Sequence, residues 1–378
     1  MKKQVFNPYL PEWEYIPDGE PRVFGERLYV FGSHDRFNGE KYCQNDYVCW
    51  SAPVGDLSCW GYDGVIYRAV QDPHNPEGNM RLFAPEVVQG SDGGYYLYYG
   101  LSSRNAVSVA RCGVPNGNYE FLSDVRYPDG TVLGEKPGDR LQFDPGVLVD
   151  GDGTVFLYTG FSPGEELLGI MKQTLGPRIA GEGGTVAELE QDMKTVKTPP
   201  APLIPGWQNA LGTSFEGHEF FEASSIRKFG GTYYFIYSSV LSHELCYATS
   251  NYPDRDFRYR GILHSNGDIG IAASGEAKNF WGNNHGSIAH INGAYYIFGH
   301  RQTNAHEFSR QGVAEKLVEA GDGGFMQAEM TSCGLNGGPL TGAGTYSAGI
   351  ACNLKSASGV CRTTDASKEK HPFITQDG

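Results

Sequence analysis

The residues of this chain best suited to chemistry are four carboxylic acids and one histidine that precede five similar segments. Each lies about 10 to 12 residues before the aromatic centre of its segment: Asp18, Glu86, Asp144, Glu222 and His285. Carboxyl groups that meet in one place suit acetal hydrolysis, because a protonated one can give its proton to the leaving oxygen while an ionised one activates water or attacks carbon. A third carboxylate nearby would keep the donor protonated through like-charge repulsion.

The five segments each combine a small turn with a run of aromatic and β-branched residues, which is typical of strands. They occupy residues 25–31, 92–99, 151–158, 230–237 and 292–298. Their spacing of roughly 60 to 80 residues is longer than a solenoid repeat and compatible with propeller blades that carry loop insertions. Equivalent positions in a ring of blades converge on one axis, so the repeat would bring the five side chains together.

The sequence therefore predicts an all-β fold, a five-bladed β-propeller over residues 1–335. The chain holds 52 Gly, 23 Tyr and 20 Phe, which suits many short strands joined by tight turns. Residues 325–331 are expected to return as an outer strand that closes the ring. Residues 336–378 form a short C-terminal Gly/Ser/Thr-rich extension, either a lid or a truncated second module, with a hairpin expected around 355–359.

Helical patterns are nearly absent. Only residues 306–317 have weak helical spacing, which would make one short helix in a loop. Residues 186–193 fit the alternation of a strand as well as the spacing of a helix. The predicted core is accordingly a set of stacked sheets filled by Tyr, Phe, Val and Ile.

Each candidate also has a structural interpretation. Asp18 and Asp144 lie in turn-rich stretches, where an Asx-turn would explain them equally well. Glu222 lies among apolar and small residues, where burial raises a carboxyl pKa and suits a proton donor, unless a base such as Arg227 pairs with it.

The remaining two candidates are less specific. Glu86 could orient its neighbours or cap backbone amides, and His285 could be a satisfied core histidine, a supporting residue or a metal ligand. The shared position of all five within the repeat carries more weight than any one of them.

Composition excludes several functions. A net charge of −14 without any Lys/Arg-rich run argues against nucleic acid and anionic membrane surfaces as partners. No apolar stretch approaches the roughly 18 residues of a membrane span, and no apolar region follows Lys2 and Lys3, so we expect a cytoplasmic protein.

The eight cysteines form no metal-ligand pattern, and free thiols are favoured over a bridge between Cys43 and Cys49. Serine-hydrolase, zinc-protease and phosphate-loop motifs are also absent.

Several motifs resemble those of family 43 of the glycoside hydrolases. Residues 23–35 resemble its opening segment, and Phe83-Ala84-Pro85-Glu86 looks like its Trp-Ala-Pro-Asp element. Phe143-Asp144-Pro145 is similar to its Ile-Asp-Pro segment, and Phe221-Glu222-Ala223 to its acid-bearing strand. His285-Gly286-Ser287, with His300 and Arg301 behind it, resembles the last blade. The resemblance covers about residues 5 to 335.

The resemblance implies an inverting hydrolase on a five-bladed propeller. Asp18 would be the general base, Asp144 would modulate the pKa of the acid, and Glu222 would be the general acid. His285 matches a histidine that often holds a calcium or sodium ion through water. Glu20 is a rival base, because Asp18 is followed by Gly-Glu-Pro and not by the commoner Pro-Ser/Thr.

We therefore expect an exo-acting enzyme for small oligosaccharides that contain pentose or furanose, an α-L-arabinofuranosidase or a β-xylosidase. The expected sugar contacts are His34, Phe83, Glu86, Phe161 and Arg301. Phe83 and Glu86 depart from the family pattern and would reshape the pocket. The alternatives are a β-D-galactofuranosidase, a glycoside phosphorylase and a non-catalytic sugar-binding propeller.

Overall fold

A computed structural model describes residues 5–271, 275–304, 306–321, 323–336 and 344–346, without the side chains of 174–175, and the backbone of two further strands, β20 and β21. It confirms the all-β, five-bladed β-propeller. The strands in chain order are β1 Glu20–Phe24, β2 Arg27–Phe31, β3 Tyr47–Pro53, β4 Gly61–Tyr67, β5 Leu82–Gln89, β6 Tyr95–Leu101, β7 Val107–Cys112, β8 Glu120–Asp124, β9 Gly146–Val149, β10 Val155–Thr159, β11 Gly183–Leu189, β12 Val196–Pro205, β13 Phe220–Phe229, β14 Thr232–Ser239, β15 Glu244–Ser250, β16 Arg258–Ser265, β17 Ile288–Ile291, β18 Ala294–Thr303, β19 His306–Lys316, β20 Asn353–Ser356 and β21 Gly359–Arg362.

The first four blades are four-stranded antiparallel sheets, and the fifth has three strands, β17 to β19. The innermost strands contact one another in the order β1, β5, β9 and β13, and β1 also contacts β17. A parallel bridge between Gly19 and Gly286 joins the first blade to the last. The ring is therefore closed, and the start of every inner strand faces the same axis.

The repeated turns are what make these segments hairpins. Asn292 and Gly293 connect β17 to β18 with φ of 52° and 76°, the left-handed pair of a tight two-residue turn. The aromatic runs that follow supply the packing between blades. Val30, Trp50 and Phe298 lie in one buried cluster between the first and last blades.

Three local predictions change. Residues 306–316 are strand β19 and not a helix; their side chains alternate across a sheet, and the weak helical spacing was overridden by pairing with β18. Residues 325–331 form no strand and make only isolated bridges, among them His264 with Ala328. A helix that the sequence did not predict, α1 at Glu165–Leu175, is inserted between β10 and β11.

The outer edge of the fifth blade is completed by a side chain. The Asn7 amide accepts a hydrogen bond from Ala314 N–H at 2.9 Å and donates to Ala314 O at 3.0 Å, as a neighbouring strand would. It also donates to Glu315 Oε1 at 2.7 Å and to Thr331 O at 3.0 Å. One buried amide thus joins the N-terminal segment, β19 and residues that follow the last blade.

Two smaller predictions are confirmed. Cys43 and Cys49 are free thiols, and strands β20 and β21 pair in antiparallel register, with Ser356 opposite Gly359. The domain boundary at residue 335 stays a prediction. Among the described helices, none has both the length and the apolar character to cross a bilayer.

Candidate active site

A cavity of about 590 Å³ lies where the inner strands begin. Asp18, Asp144, Glu222 and His285 all line it. Asp18 lies two residues before β1, Asp144 two residues before β9, and His285 three residues before β17, whereas Glu222 lies in the irregular first part of β13. Four of the five residues singled out by the repeat therefore meet at one site.

The backbone at these strand starts is left-handed. Asp18 and Asp144 have φ of 57° and 45°, a conformation that Asp tolerates better than most residues. Ala84 and Ala223 have φ of 26° and 65° at the corresponding starts of β5 and β13, and a methyl side chain does nothing to stabilise the left-handed conformation there. Strain of this kind is typical of functional sites.

Glu86 lies outside the cavity. It pairs with Tyr98 of β6 as Glu20 pairs with Phe31 of β2, so Glu86 corresponds to Glu20 and not to Asp18. The counterpart of Asp18 in the second blade is Ala84, two residues earlier. Spacing along the chain could not reveal this offset of two, and the predicted sugar contact by Glu86 has no support in its position.

Glu20 and Glu86 instead form a buried quartet with two arginines. Glu86 receives two hydrogen bonds from Arg22, at 2.9 and 2.6 Å, and one from Arg227 at 3.2 Å. Arg227 also donates to Glu20, which accepts a further hydrogen bond from the Ser225 hydroxyl at 3.0 Å. Two carboxylates and two guanidinium groups leave this part of the axis formally neutral. Arg227 is thus paired elsewhere and does not neutralise Glu222.

Asp18 is held as a carboxylate. Its Oδ1 accepts a hydrogen bond from Arg310 Nη1 at 2.9 Å, and the Ser33 hydroxyl also bonds to it. Burial, the largest single influence, would raise the pKa of Asp18, but the charge of Arg310 together with His285 and the Ser33 hydroxyl outweighs it, and the pKa falls below its ordinary value. An ionised carboxylate at the cavity wall can accept a proton from water.

His300 supports Asp18 from behind and is neutral. Its Nδ1 accepts the backbone N–H of Asp18 at 3.3 Å, and its Nε2 donates to the backbone oxygen of Asn283 at 2.7 Å. Burial, followed by the charge of Arg310, lowers the pKa of His300 to about 3. The ring therefore orients Asp18 and does not compete for its proton.

Arg310, which sequence reasoning missed, is the arginine that lines the cavity. It forms two hydrogen bonds with Asp35, at 2.8 and 3.0 Å, and its guanidinium lies 4.8 Å from the ring centre of Tyr42. Tyr42 also lines the cavity and donates to Glu307. All three cavity residues lie on β19 or on the loop before β3. The prediction of a helix over 306–317 concealed Glu307 and Arg310, which lie on strand β19.

Arg301 and His34 do not line the cavity. Arg301 donates to Gln311 Oε1 from Nε at 3.2 Å and from Nη2 at 2.9 Å. His34 lies 3.0 Å from Glu14 Oε1 through Nε2 and 2.8 Å from Asp46 O through Nδ1. Arg301 bonds to the residue opposite it on β19, and His34 contacts Glu14 and Asp46, so their predicted sugar contacts have no support in their positions.

Asp144 and His285 form a pair. Asp144 Oδ2 accepts the backbone N–H of Ala223 at 3.1 Å and lies 3.5 Å from His285 Nδ1. Burial would lower the pKa of His285, but Asp144 and Glu20 on either side hold it well above its ordinary value. Burial raises the pKa of Asp144, and the imidazolium opposes that rise. The proton of this pair therefore sits on His285.

Glu222 is held in its protonated form. Its residue is only 9% exposed, and within the described residues no donor bonds to its carboxyl group. Burial and the neighbouring carboxylate of Asp144 together raise its pKa well above the ordinary value. Asp18 and Glu222 are thus a base and an acid on one cavity, with pKa values displaced in opposite directions.

One wall of the cavity is apolar. Four phenylalanines follow one another along it, with ring centres 6.0, 5.0 and 5.1 Å apart: Phe83, Phe143, Phe161 and Phe221. Leu167 and Met171 of α1 extend this wall. Phe83 and Phe161, both expected sugar contacts, thus line the same cavity as Asp18 and Arg310.

The surroundings of His285 also offer a place for a cation. Glu20 Oε1 is buried, accepts no hydrogen bond from the described residues and lies 3.5 Å from His285 Nε2. One free carboxylate oxygen beside an imidazole fits an ion whose remaining ligands are water, since calcium takes six to eight oxygen ligands.

Comparisons with known proteins identify the family. The model for "Glycosyl hydrolases family 43" matches residues 20–325. A xylosidase/arabinosidase of Thermoclostridium stercorarium is 54% identical, and the match covers 100% of this chain and 78% of that protein. A family 43 enzyme from Xanthomonas citri complexed with xylotriose has the same fold, with a TM-score of 0.66, 23% identity and coverage of 86% of this chain and 94% of its own. This chain belongs to family 43 of the glycosyl hydrolases.

Proposed function

We propose that this enzyme removes single terminal pentosyl residues from short oligosaccharides with inversion of configuration, as a β-xylosidase and α-L-arabinofuranosidase. One observation supports it above the others: Asp18, an ionised carboxylate, and Glu222, a protonated carboxyl group, line one sugar-sized cavity. Single-displacement hydrolysis needs a base and an acid in these two states.

The reaction follows from these states. Glu222 donates its proton to the glycosidic oxygen as the bond between that oxygen and the anomeric carbon breaks. Asp18 accepts a proton from a water molecule, whose oxygen forms a bond to the anomeric carbon on the opposite face. Arg310 and Ser33 keep Asp18 ionised and in place. Asp144 keeps Glu222 protonated between turnovers, because its carboxylate opposes a second negative charge nearby.

The substrate class is supported by size, wall chemistry and relatives. A cavity of about 590 Å³ lies within the usual range for small-molecule sites. The phenylalanine wall suits the apolar C–H face of a sugar ring, and Glu307, Tyr42 and Arg310 offer hydrogen bonds to its hydroxyl groups. The relative at 54% identity is a xylosidase/arabinosidase.

A panel of nitrophenyl glycosides tests the proposal. We expect turnover of the β-D-xylopyranoside and the α-L-arabinofuranoside, with the inverted anomer as the first product in proton NMR. Retention of configuration would contradict the roles of Asp18 and Glu222. Turnover that requires phosphate would identify a phosphorylase, preference for the galactofuranoside would identify that specificity, and binding without product would identify a lectin-like protein.

We also propose that a calcium or sodium ion is held through water beside His285 and Glu20 Oε1. It would supply positive charge next to Asp144, which a proton on His285 otherwise supplies. If the ion is calcium, its removal with EGTA should lower kcat, and calcium, but not zinc, should restore it. If the ion is sodium, exchange into potassium buffer should lower kcat, and sodium should restore it. If elemental analysis shows that the protein contains neither calcium nor sodium and activity is still full, the proton on His285 is the sole source of that charge.

A further inference from the structure

A second cluster of ligand-type side chains lies outside the cavity, in the fourth blade. His218 precedes β13, Glu244 is the first residue of β15, and Cys246 follows two residues later on the same face of that strand. His218 Nδ1 is 2.7 Å from Glu244 Oε1, Cys246 Sγ is 3.2 Å from the same oxygen, and the sulfur is 4.0 Å from Nδ1. Catalysis as described above uses none of the three.

These distances have the size of a metal site. The circle through the three atoms has a radius of about 2 Å, which is the length of a Zn–N or Zn–O bond and slightly short of a Zn–S bond. An ion placed near its centre would need only small shifts of the side chains. Hydrogen bonding alone does not require this triangle, because the sulfur and the imidazole nitrogen are too far apart to bond well.

The surroundings orient the three groups in the manner of outer partners of a metal site. The Ser239 hydroxyl donates to Glu244 Oε1, and the ring of His218 stacks on Tyr259 with centres 4.7 Å apart and planes 9° apart. The Tyr259 hydroxyl bonds to the Cys246 sulfur, where it would stabilise a thiolate. Such partners fix ligand orientation in known metal sites.

Access is also provided. The side chain of His218 is 29% exposed, whereas that of Glu244 is 1% exposed and Cys246 is fully buried. An ion can therefore enter from solvent past the imidazole and leave one position open to water. Three protein ligands of the N, O and S types with one open position suit Zn²⁺ better than calcium or magnesium, which prefer oxygen alone.

We propose that His218, Glu244 and Cys246 form a Zn²⁺ site whose fourth ligand is water. On binding, the ion replaces the hydrogen bonds among the three groups, and the thiol proton and any proton on Nδ1 are released to solvent. The ion joins the segment before β13 to β15 across β14. Because β13 carries Glu222 four residues after His218, the site braces the strand that holds the catalytic acid.

Cobalt substitution tests the site directly. The full chain, stripped of metal, is titrated with Co²⁺ and then with Zn²⁺ while absorbance is recorded. We expect one equivalent of Co²⁺ to give a thiolate-to-cobalt charge-transfer band in the near ultraviolet, which Zn²⁺ abolishes by displacement. The melting temperature should rise on saturation with Zn²⁺, since only the folded chain holds the three ligands together.

Matched variants decide the outcome. Cys246→Ala should lose the charge-transfer band, and His218→Gln should weaken Zn²⁺ binding by at least the roughly 10- to 100-fold that loss of an outer partner costs. Cys59→Ser, which removes an exposed thiol elsewhere, should bind as the unaltered chain does. A titration without the band, or one that Cys59→Ser abolishes and His218→Gln does not affect, would overturn the proposal.

Discussion

Replacing Glu222 with Gln is expected to lower kcat/KM for an unactivated xylo-oligosaccharide by about 10³-fold, within the usual range for loss of a general acid. Dinitrophenyl glycosides should lose less than about tenfold, because a good leaving group departs without protonation. Gln keeps the shape of the side chain, so the phenylalanine wall remains packed. Steady-state kinetics on the two substrates provide the measurement.

The pH profile of the same variant gives a second test. In the unaltered enzyme, activity should fall as pH rises through the raised pKa of Glu222, because the proton to be donated is lost. The variant should lack this alkaline decline and keep the acid decline that reports protonation of Asp18. Glu307→Gln, the same change at a carboxylate on the cavity edge, should keep both limbs. Equal, small losses on both substrates would remove Glu222 from the role of acid.

Replacing Asp18 with Asn is expected to lower kcat by about 10⁴-fold on activated and unactivated substrates alike, since both need a deprotonated water. Asn tolerates the left-handed backbone at this position and can still accept the hydrogen bond from Arg310. Loss of activity would therefore not be explained by unfolding, which circular dichroism checks. Residual kcat above about a tenth of the original would place the base elsewhere.

A glycine variant tests the role of Asp18 with a nucleophile other than water. Asp18→Gly suits a φ of 57° and leaves space for a small anion. Azide needs no base to attack, so it should restore turnover of an activated glycoside and give a glycosyl azide of inverted configuration. Failure of azide with Asp18→Gly, combined with its success in a Glu20→Gln variant, would make Glu20 the base.

The meeting of Asp18, Asp144, Glu222 and His285 follows from the sequence because a ring repeat converts equal spacing before a strand into a shared position in space. Spacing along the chain locates such a position only to within about two residues. Glu86 satisfies the same spacing and yet lies one inward-facing position further along its strand, with Arg22 and Arg227. Only strand register separates the two positions, and register is set by pairing and turns that spacing does not reveal.

Arg310 could not be predicted from local pattern. Its partners Asp35 and Asp18 are 275 and 292 residues away, so no motif brings them together. Arg301 has the same side chain on the same strand pair and bonds to Gln311 instead. Helix α1 escaped notice for a related reason, since 11 residues in an insertion carry too little periodicity to outweigh the surrounding strand signals.

The quartet of Glu20, Arg22, Glu86 and Arg227 has a consequence for the order of events in a turnover. These side chains are bonded to one another close to the inner strands, and we expect them to close that end of the axis, so that the propeller offers a blind-ended socket and not a tunnel. A polymer cannot thread through it, and only a chain end can be inserted. The shortened oligosaccharide must depart before the freed monosaccharide trapped behind it, so every cycle empties the socket and the enzyme cannot move along a chain without letting go.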